Sequence, residues 1–427
     1  MNVLIRFSRD LRAADHPALS HAAALAAGRG AVLPLYVVDP AAWAAPDRSA
    51  RQWDFTAECL EDLRAELAAL GAPLVLRVGP ARAVLERLCR QHGIGAIVSH
   101  PAEGTVEEVA RDRALADWAR GQGIDWIEMP QGAAEVPAAL RPVAGVAPGP
   151  IPTARALRLA EDRCPNRQQG GRTQGLAMLE SFLAARAAGY RAGASVTAAE
   201  RGASRLSPYL AQGVLSREEV AAAAAARRAT RPGRDWTRGL RAFEARLARR
   251  DGDALARVPT AAPLPEAYAR GETGLPFLDA TLRYLAATGW LPAELREMTA
   301  QAARLLGVEA GAGLHLARSF TDYHPALFWP AWQAALARRP VDPLRLGRRM
   351  DPRGAFLRSW LPELAPVPEA HLHAPWLWSG AQGLLGRRYP EPLVDPAAAR
   401  RALRPAAQPG RRRRTAAAPA GQLCLDL

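Results

Sequence analysis

No stretch of these 427 residues is long and apolar enough to span a bilayer. Met1 to Asp10 reads as a strand and not as a secretion signal, so the expected location is the cytoplasm. Cysteine is scarce, and Cys59, Cys89, Cys164 and Cys424 stand far apart. That scatter carries no metal-ligand spacing, and a reducing compartment would keep all four as thiols. Lysine is missing altogether, so all 56 basic residues are arginine. A high-GC genome favours Arg and Ala codons and accounts for part of that bias. No G-x-G-x-x-G follows the first strand, which argues against a nicotinamide dinucleotide.

What is present in excess is positive charge. Against 42 acids, the arginines leave a net charge of +14. A planar guanidinium donates two parallel hydrogen bonds to phosphate, so a polyanion such as DNA is the expected partner. The length leaves room for two domains, and an apolar share of 49% is enough to give each a core.

Residues 1–131 alternate between strand and helix patterns. Strands are expected at Asn2 to Phe7, Ala31 to Val38, Leu74 to Val78, Ala96 to Ser99 and Asp125 to Met129, with amphipathic runs between them. That alternation predicts an α/β domain built on a doubly wound parallel sheet, with any ligand at the carboxyl ends of its strands, near Ser8 to Arg12 and Asp39 to Trp43. Residues 132–172 are rich in Pro, Gly and Ala and read as an interdomain linker. A helical domain is expected over 173–402, opening with Leu176, Leu179, Phe182 and Leu183 on one face. Residues 403–427 carry Arg411 to Arg414 in an Ala/Pro stretch and read as a disordered basic tail.

The most informative stretch is Gly271 to Trp290, G-E-T-G-L-P-F-L-D-A-T-L-R-Y-L-A-A-T-G-W. Leu278, Leu282 and Leu285 recur at helical spacing, and Gly289 is placed to end the helix. The order of residues resembles the signature of the photolyase and cryptochrome family, in which this segment helps build an all-helical domain that holds FAD and docks DNA. Phe7 to Arg12 with Asp15 to Leu19 is similar to the family's F-R-x-D-L-R and D-N-P-A-L opening. The first domain of the family can hold an antenna chromophore, and no residue here says which, if any. Asp10 and Arg12 have a plainer role open to them, tying down the first loop.

Ala203 to Leu210 resembles T-S-x-L-S-P-Y-L, the loop and helix start that receive the FAD phosphates. The resemblance assigns Ser204, Leu206 and Ser207 to the cofactor, together with Tyr190, while Ala203 lacks the family's Thr hydroxyl. Ser207-Pro208 is also an ordinary helix start. The lesion-facing E-L-x-W-R-E-F helix corresponds to Arg246 to Asp251, where the acid and the aromatic have become cations. Arg250 keeps the family's arginine and is a cofactor candidate, and Arg246, Arg249 and Arg250 are DNA-binding candidates. Past the signature helix, Arg296 and Asp322 match cofactor-flanking residues and are expected to form an ion pair. Ala293, His324 and Phe328 replace an Asn, an acid and the residue that tunes the flavin N5. Trp332 matches a member of the family's electron relay, but no tryptophan lies between Trp290 and Trp329, so the middle indole is missing.

Asp351 to Leu364 and His371 to Trp376 resemble scaffold motifs of the same family, and no metal is expected at His371 and His373. At the carboxyl end, Gln422, Leu423, Leu425 and Leu427 resemble the Q-L-x-L-x-L peptide by which bacterial repair proteins dock onto the DNA polymerase sliding clamp. The resemblance implies a FAD-dependent member of the light-dependent repair lineage. Three forms stay open: a DNA-associated protein with an eroded pocket, a working deoxyribodipyrimidine photo-lyase, and a flavin-free scaffold linking DNA to the clamp.

Overall fold

The computed structural model describes residues 1–28, 30–190, 195–248, 255–338, 341–395 and 398. Short runs rich in Val, Leu and Ile pair as parallel strands β1 Asn2–Phe7, β2 Val32–Val38, β3 Val75–Val78, β4 Ile94–Ser99 and β5 Asp125–Glu128. Their order is β3-β2-β1-β4-β5, the doubly wound arrangement that alternating strands and helices predict. Helices α1 Pro17–Ala26, α2 Ala50–Ala69, α3 Ala81–His92 and α4 Val106–Gly121 cover the two faces. Each expected strand forms, the first with the expected ends and the others with one end displaced by one or two residues. Between β5 and Arg172 the chain forms no helix or strand, but it is anchored. Trp53 Nε1 donates to the Pro152 carbonyl at 2.9 Å, and Arg51 pairs with Asp162.

The helical part comprises α5 Arg172–Ser181, α6 Val196–Gly202, α7 Ser207–Ala211, α8 Arg217–Ala229, α9 Arg234–Leu247, α10 Pro276–Thr288, α11 Ala293–Leu305, α12 Glu309–Ser319, α13 Pro325–Ala337, α14 Pro343–Met350 and α15 Ala355–Trp360. The signature helix α10 starts at Pro276, and the Asp279 carboxylate accepts from Thr273 N–H, Thr273 Oγ1 and Gly274 N–H. Gly289 ends it in the left-handed region, as expected of a glycine just past the last turn. Leu278, Leu282 and Leu285 are buried, and so are most of the helix's other side chains, because later helices pack on both sides.

The apolar cores do not follow the domain division. One face of the sheet is continuous with Leu179, Phe182, Tyr209, Leu240 and Phe243, whereas the residues of α10 to α15 build a second core. The expected face of the first helix needs correction at Leu176, which is exposed. The buried stripe runs through Gly175, where a Cβ would stand 3.0 Å from the Tyr209 ring, then Leu179 and Phe182. Gly213 is left-handed and lies against the Arg9–Asp10 backbone, so the β1 loop and the turn after α7 meet without a side chain between them. Arg12 Nη1 donates to the Gly213 carbonyl at 3.1 Å and Arg12 Nη2 to Gln131 Oε1 at 2.8 Å. The structural role open to Arg12 is therefore the one it fills.

Candidate cofactor site and DNA-facing surface

Ser204, Leu206 and Ser207 come together on the loop into α7, and all three are buried. Arg186 holds this loop from beneath, donating to the carbonyls of Ala203 and Ser204. Gly202 stands so close to the Gly189 carbonyl that a Cβ could not fit, which brings Tyr190 to the same loop. The Tyr190 ring packs edge-on against Phe182 and Phe243 at 5.7 and 5.5 Å. Arg205, at a left-handed φ of 61°, lays its guanidinium 4.3 Å over the Trp290 ring.

The second group lies beyond Trp290. Arg296 on α11 donates from Nε to the Leu291 carbonyl at 2.8 Å and makes a two-pronged pair with Asp322 at 3.2 and 2.6 Å. Its guanidinium also rests 4.2 Å over Phe320. The expected ion pair is thus formed, and Arg205, Trp290 and Leu291 connect it to the serine loop. Trp332 lines the same wall as Arg296 and Phe328, with its ring nearly parallel to Phe328 at 6.1 Å. His324 is buried. Burial first, and then the Arg9 charge, pushes its imidazole down to about 3, so the ring is neutral. Ala293 is buried and supplies no polar atom.

Arg246 corrects an expectation. It sits on the last turn of α9 at 5% exposure, inside the domain and not on a surface where DNA would pass. Arg249 and Arg250 lie outside the described residues, as do Gln422, Leu423, Leu425 and Leu427. At the turn from α8 into α9, exposed Arg231 and Arg241 instead border a cleft together with half-buried Arg228, which pairs with Glu244.

A second cavity of about 190 Å³ opens at the carboxyl ends of the strands, bounded by Arg9, Asp10, Tyr36, Trp43, Arg48 and Glu108. Burial alone would raise the Glu108 carboxyl, but Arg9 and Arg48 outweigh it and hold it at about 2. Sequence patterns missed a buried cluster beside this cavity, because Asp10, His16 and His100 are brought within 4.8 Å only by the fold. His16 Nδ1 accepts the Leu19 N–H, so the proton of its neutral ring is on Nε2, facing Asp10 at 3.1 Å. With no lone pair left on that ring, the cluster is a hydrogen-bond network rather than a metal centre. His373 likewise spends Nε2 on the Asp351 carbonyl.

Comparison with known proteins agrees with this layout. Residues 3–142 match the DNA photolyase family model, and residues 213–408 match the FAD-binding domain of DNA photolyase. A deoxyribodipyrimidine photo-lyase of Streptomyces griseus is 30% identical over 93% of this chain and 97% of its own length. A cryptochrome DASH of Natronomonas pharaonis is 28% identical over 92% and 98%. Among solved structures, a Synechocystis cryptochrome superposes with a TM-score of 0.80 at 23% identity, covering 94% of this chain and 98% of that one. A class III photolyase of Agrobacterium tumefaciens superposes with a TM-score of 0.77 at 22% identity, covering 94% and 96%. The chain belongs to the photolyase and cryptochrome family, with its parallel-sheet domain followed by the helical FAD-binding domain.

FAD is the cofactor that this helical domain accommodates. The residues present fit it. Ser207 Oγ, Trp290 Nε1, Thr321 Oγ1 and His324 Nδ1 are buried on the segments just described and have no hydrogen-bond partner. Orphaned groups of this kind cost about 1–3 kcal/mol each unless a polar ligand meets them. Hydroxyls, an indole N–H and a guanidinium form a donor-rich set suited to a phosphate-bearing ligand.

Proposed function

We propose that this chain is a FAD-holding, DNA-associated protein of the light-dependent repair lineage whose pocket is ill equipped for photorepair. What carries this is that His324 and Phe328 stand where the family's pattern has an acid and the residue that tunes the flavin N5. His324 is neutral and Phe328 is an unreactive ring packed against Trp332. Ser204, Leu206, Ser207 and Tyr190 would hold the diphosphate end, with Arg296 and Asp322 flanking the ring. When bound, FAD supplies blue-light absorption and one-electron chemistry. Arg246 and Arg249 stand where the family's lesion-facing helix carries an acid and an aromatic, so the acceptor and stacking wall for an extruded dimer are absent.

The intact Arg296–Asp322 pair favours a second reading, a working deoxyribodipyrimidine photo-lyase. Absorbance of the purified protein in the blue, followed by dimer splitting in an oligonucleotide under blue light, separates the two. A structured flavin band with poor splitting per photon supports the proposal, and efficient splitting supports the second reading. Colourless protein that cannot be reconstituted leaves the flavin-free scaffold. The clamp partner is tested separately by deleting residues 422–427, and unchanged affinity for a purified sliding clamp sinks it.

A further inference from the structure

Ala203 lacks the hydroxyl that the family's loop carries at its first position, yet the loop is held from behind. After α5, Phe182–Arg186 forms a single π-helical turn, closed by the Ala187 N–H on the Phe182 carbonyl. That turn holds one residue more than an α-helical one, which rotates the side chain at its end. Here that side chain is Arg186, whose guanidinium lies 5.7 Å over the Phe182 ring. Its Nη1 donates to the Ala203 carbonyl, and its Nη2 to the carbonyls of Ser204 at 3.3 Å and Met178 at 3.1 Å. In a trans peptide the C=O and the following N–H point opposite ways. With both loop carbonyls turned onto Arg186, the N–H groups of Ser204 and Arg205 point away from it, and among the described residues neither meets an acceptor. Arg205 has a left-handed φ of 61° and Leu206 is right-handed, an alternation that gathers successive N–H groups into a concave anion seat. Ser207 Oγ, buried and unpartnered, belongs to the same loop.

We propose that Arg186 is a positioning residue for the diphosphate of FAD, and that by fixing the loop it makes the site select a dinucleotide over a phosphate-free flavin. This rests on the FAD reading, in which the loop from Ala203 receives the phosphates. Arg186 acts from outside the site. Its remaining donor, Nε, is spent on Ser181 Oγ at 3.3 Å, so the guanidinium braces the loop without reaching for the ligand. Were either loop peptide to flip, a carbonyl oxygen would face the arriving phosphate in place of an N–H, and attraction would become repulsion. A planar fork suits two adjacent carbonyls, which a single ammonium could not hold in the same way. The charges add to this preference. Burial first, and then the Arg205 charge, lowers the ionisation of Arg186, so the two cations of the loop repel each other. A diphosphate seated on the loop relieves that repulsion, and a ligand without phosphate does not.

A brace with no bearing on phosphate would make the same hydrogen bonds, so the test compares ligands that carry phosphate with one that does not. Flavin-free full-length protein is titrated with FAD, with riboflavin and with ADP. Arg186→Met is expected to weaken FAD and ADP by about tenfold or more and to leave riboflavin unchanged. Arg186→Lys, a gentler change, is expected to show the same selective loss to a smaller degree. Unaltered affinity for FAD and ADP in both variants, or an equal loss of all three ligands, overturns the proposal. Should neither variant fold, amide hydrogen exchange of wild type decides: slower exchange at Ser204 and Arg205 on adding ADP supports the proposal, and unchanged exchange there refutes it. Wild type that takes ADP in an Arg186-dependent way but neither flavin would keep Arg186 as the brace of a diphosphate site and discard the FAD reading. Wild type that binds none of the three discards both.

Discussion

Arg296 and Asp322, 26 positions apart, meet through two hydrogen bonds with both side chains only 2% exposed. A pair this deep is held by its partners in turn, the Leu291 carbonyl on Nε and the Phe320 ring beneath the guanidinium. Removing one member strands the other charge. Asp322→Ala is expected to cost about 3–5 kcal/mol, measured by urea unfolding at neutral pH. Arg296→Lys is expected to lose stability as well, because an ammonium cannot reproduce the two-pronged contact.

His324 makes stability pH-dependent. Its imidazole is held at about 3 in the folded protein, whereas an exposed histidine titrates near 6.5. Between those values the unfolded chain binds a proton that the folded chain does not, so stability falls as pH drops from about 6.5 towards 3. His324→Gln is expected to flatten that part of the profile in denaturant titrations at a series of pH values. An unaltered slope would mean that the ring is not the titrating group.

The two proposed replacements past Asp322 can be reversed. His324→Asp restores an acid in the field of Arg9 and Arg48, and Phe328→Asn restores a polar atom where a ring now packs. The double variant, if it retains flavin, is expected to split cyclobutane dimers under blue light with a higher yield per photon than the parent. An equal yield would mean that these two residues do not limit repair.

DNA affinity is expected to fall linearly with salt on logarithmic axes, as phosphate contacts release counterions. Exposed Arg231 and Arg241 border the cleft at the α8–α9 turn. If each meets a phosphate, Arg231→Ala and Arg241→Ala should each lower the salt slope by about 1. Arg246→Ala should leave the slope unchanged and act on stability instead, because its side chain is buried.

Gly213 combines a φ of 61° with an approach of 2.2 Å between a Cβ and the Arg9 carbonyl oxygen. Gly213→Ala is therefore expected to cost more than about 1 kcal/mol, read from thermal unfolding, since either the backbone or the domain contact must give.

Much of this was legible in the chain itself. Strand periodicity placed all five strands of the sheet, and Pro276 and Gly289 bounded the signature helix, because local sterics govern where helices start and stop. Residue order from Gly271 to Trp290 carried the family. Motif matching also paired Arg296 with Asp322, since both sit at fixed places in inherited segments. It could not see that Arg246 turns inward, that Gly175 displaces Leu176 from the buried stripe, or that one face of the sheet shares its core with α5 and α9.

Local pattern alone thus determined the elements, their order and the lineage, because those follow from short-range propensity and from strings of neighbouring residues. The meeting of Asp47 with Tyr323, of Asp10 with His16 and His100, and of both Trp329 and Trp332 with Gly313 was decided only when the helices packed. Such contacts depend on side-chain shape and burial summed over the whole fold, and no local window of the chain contains them.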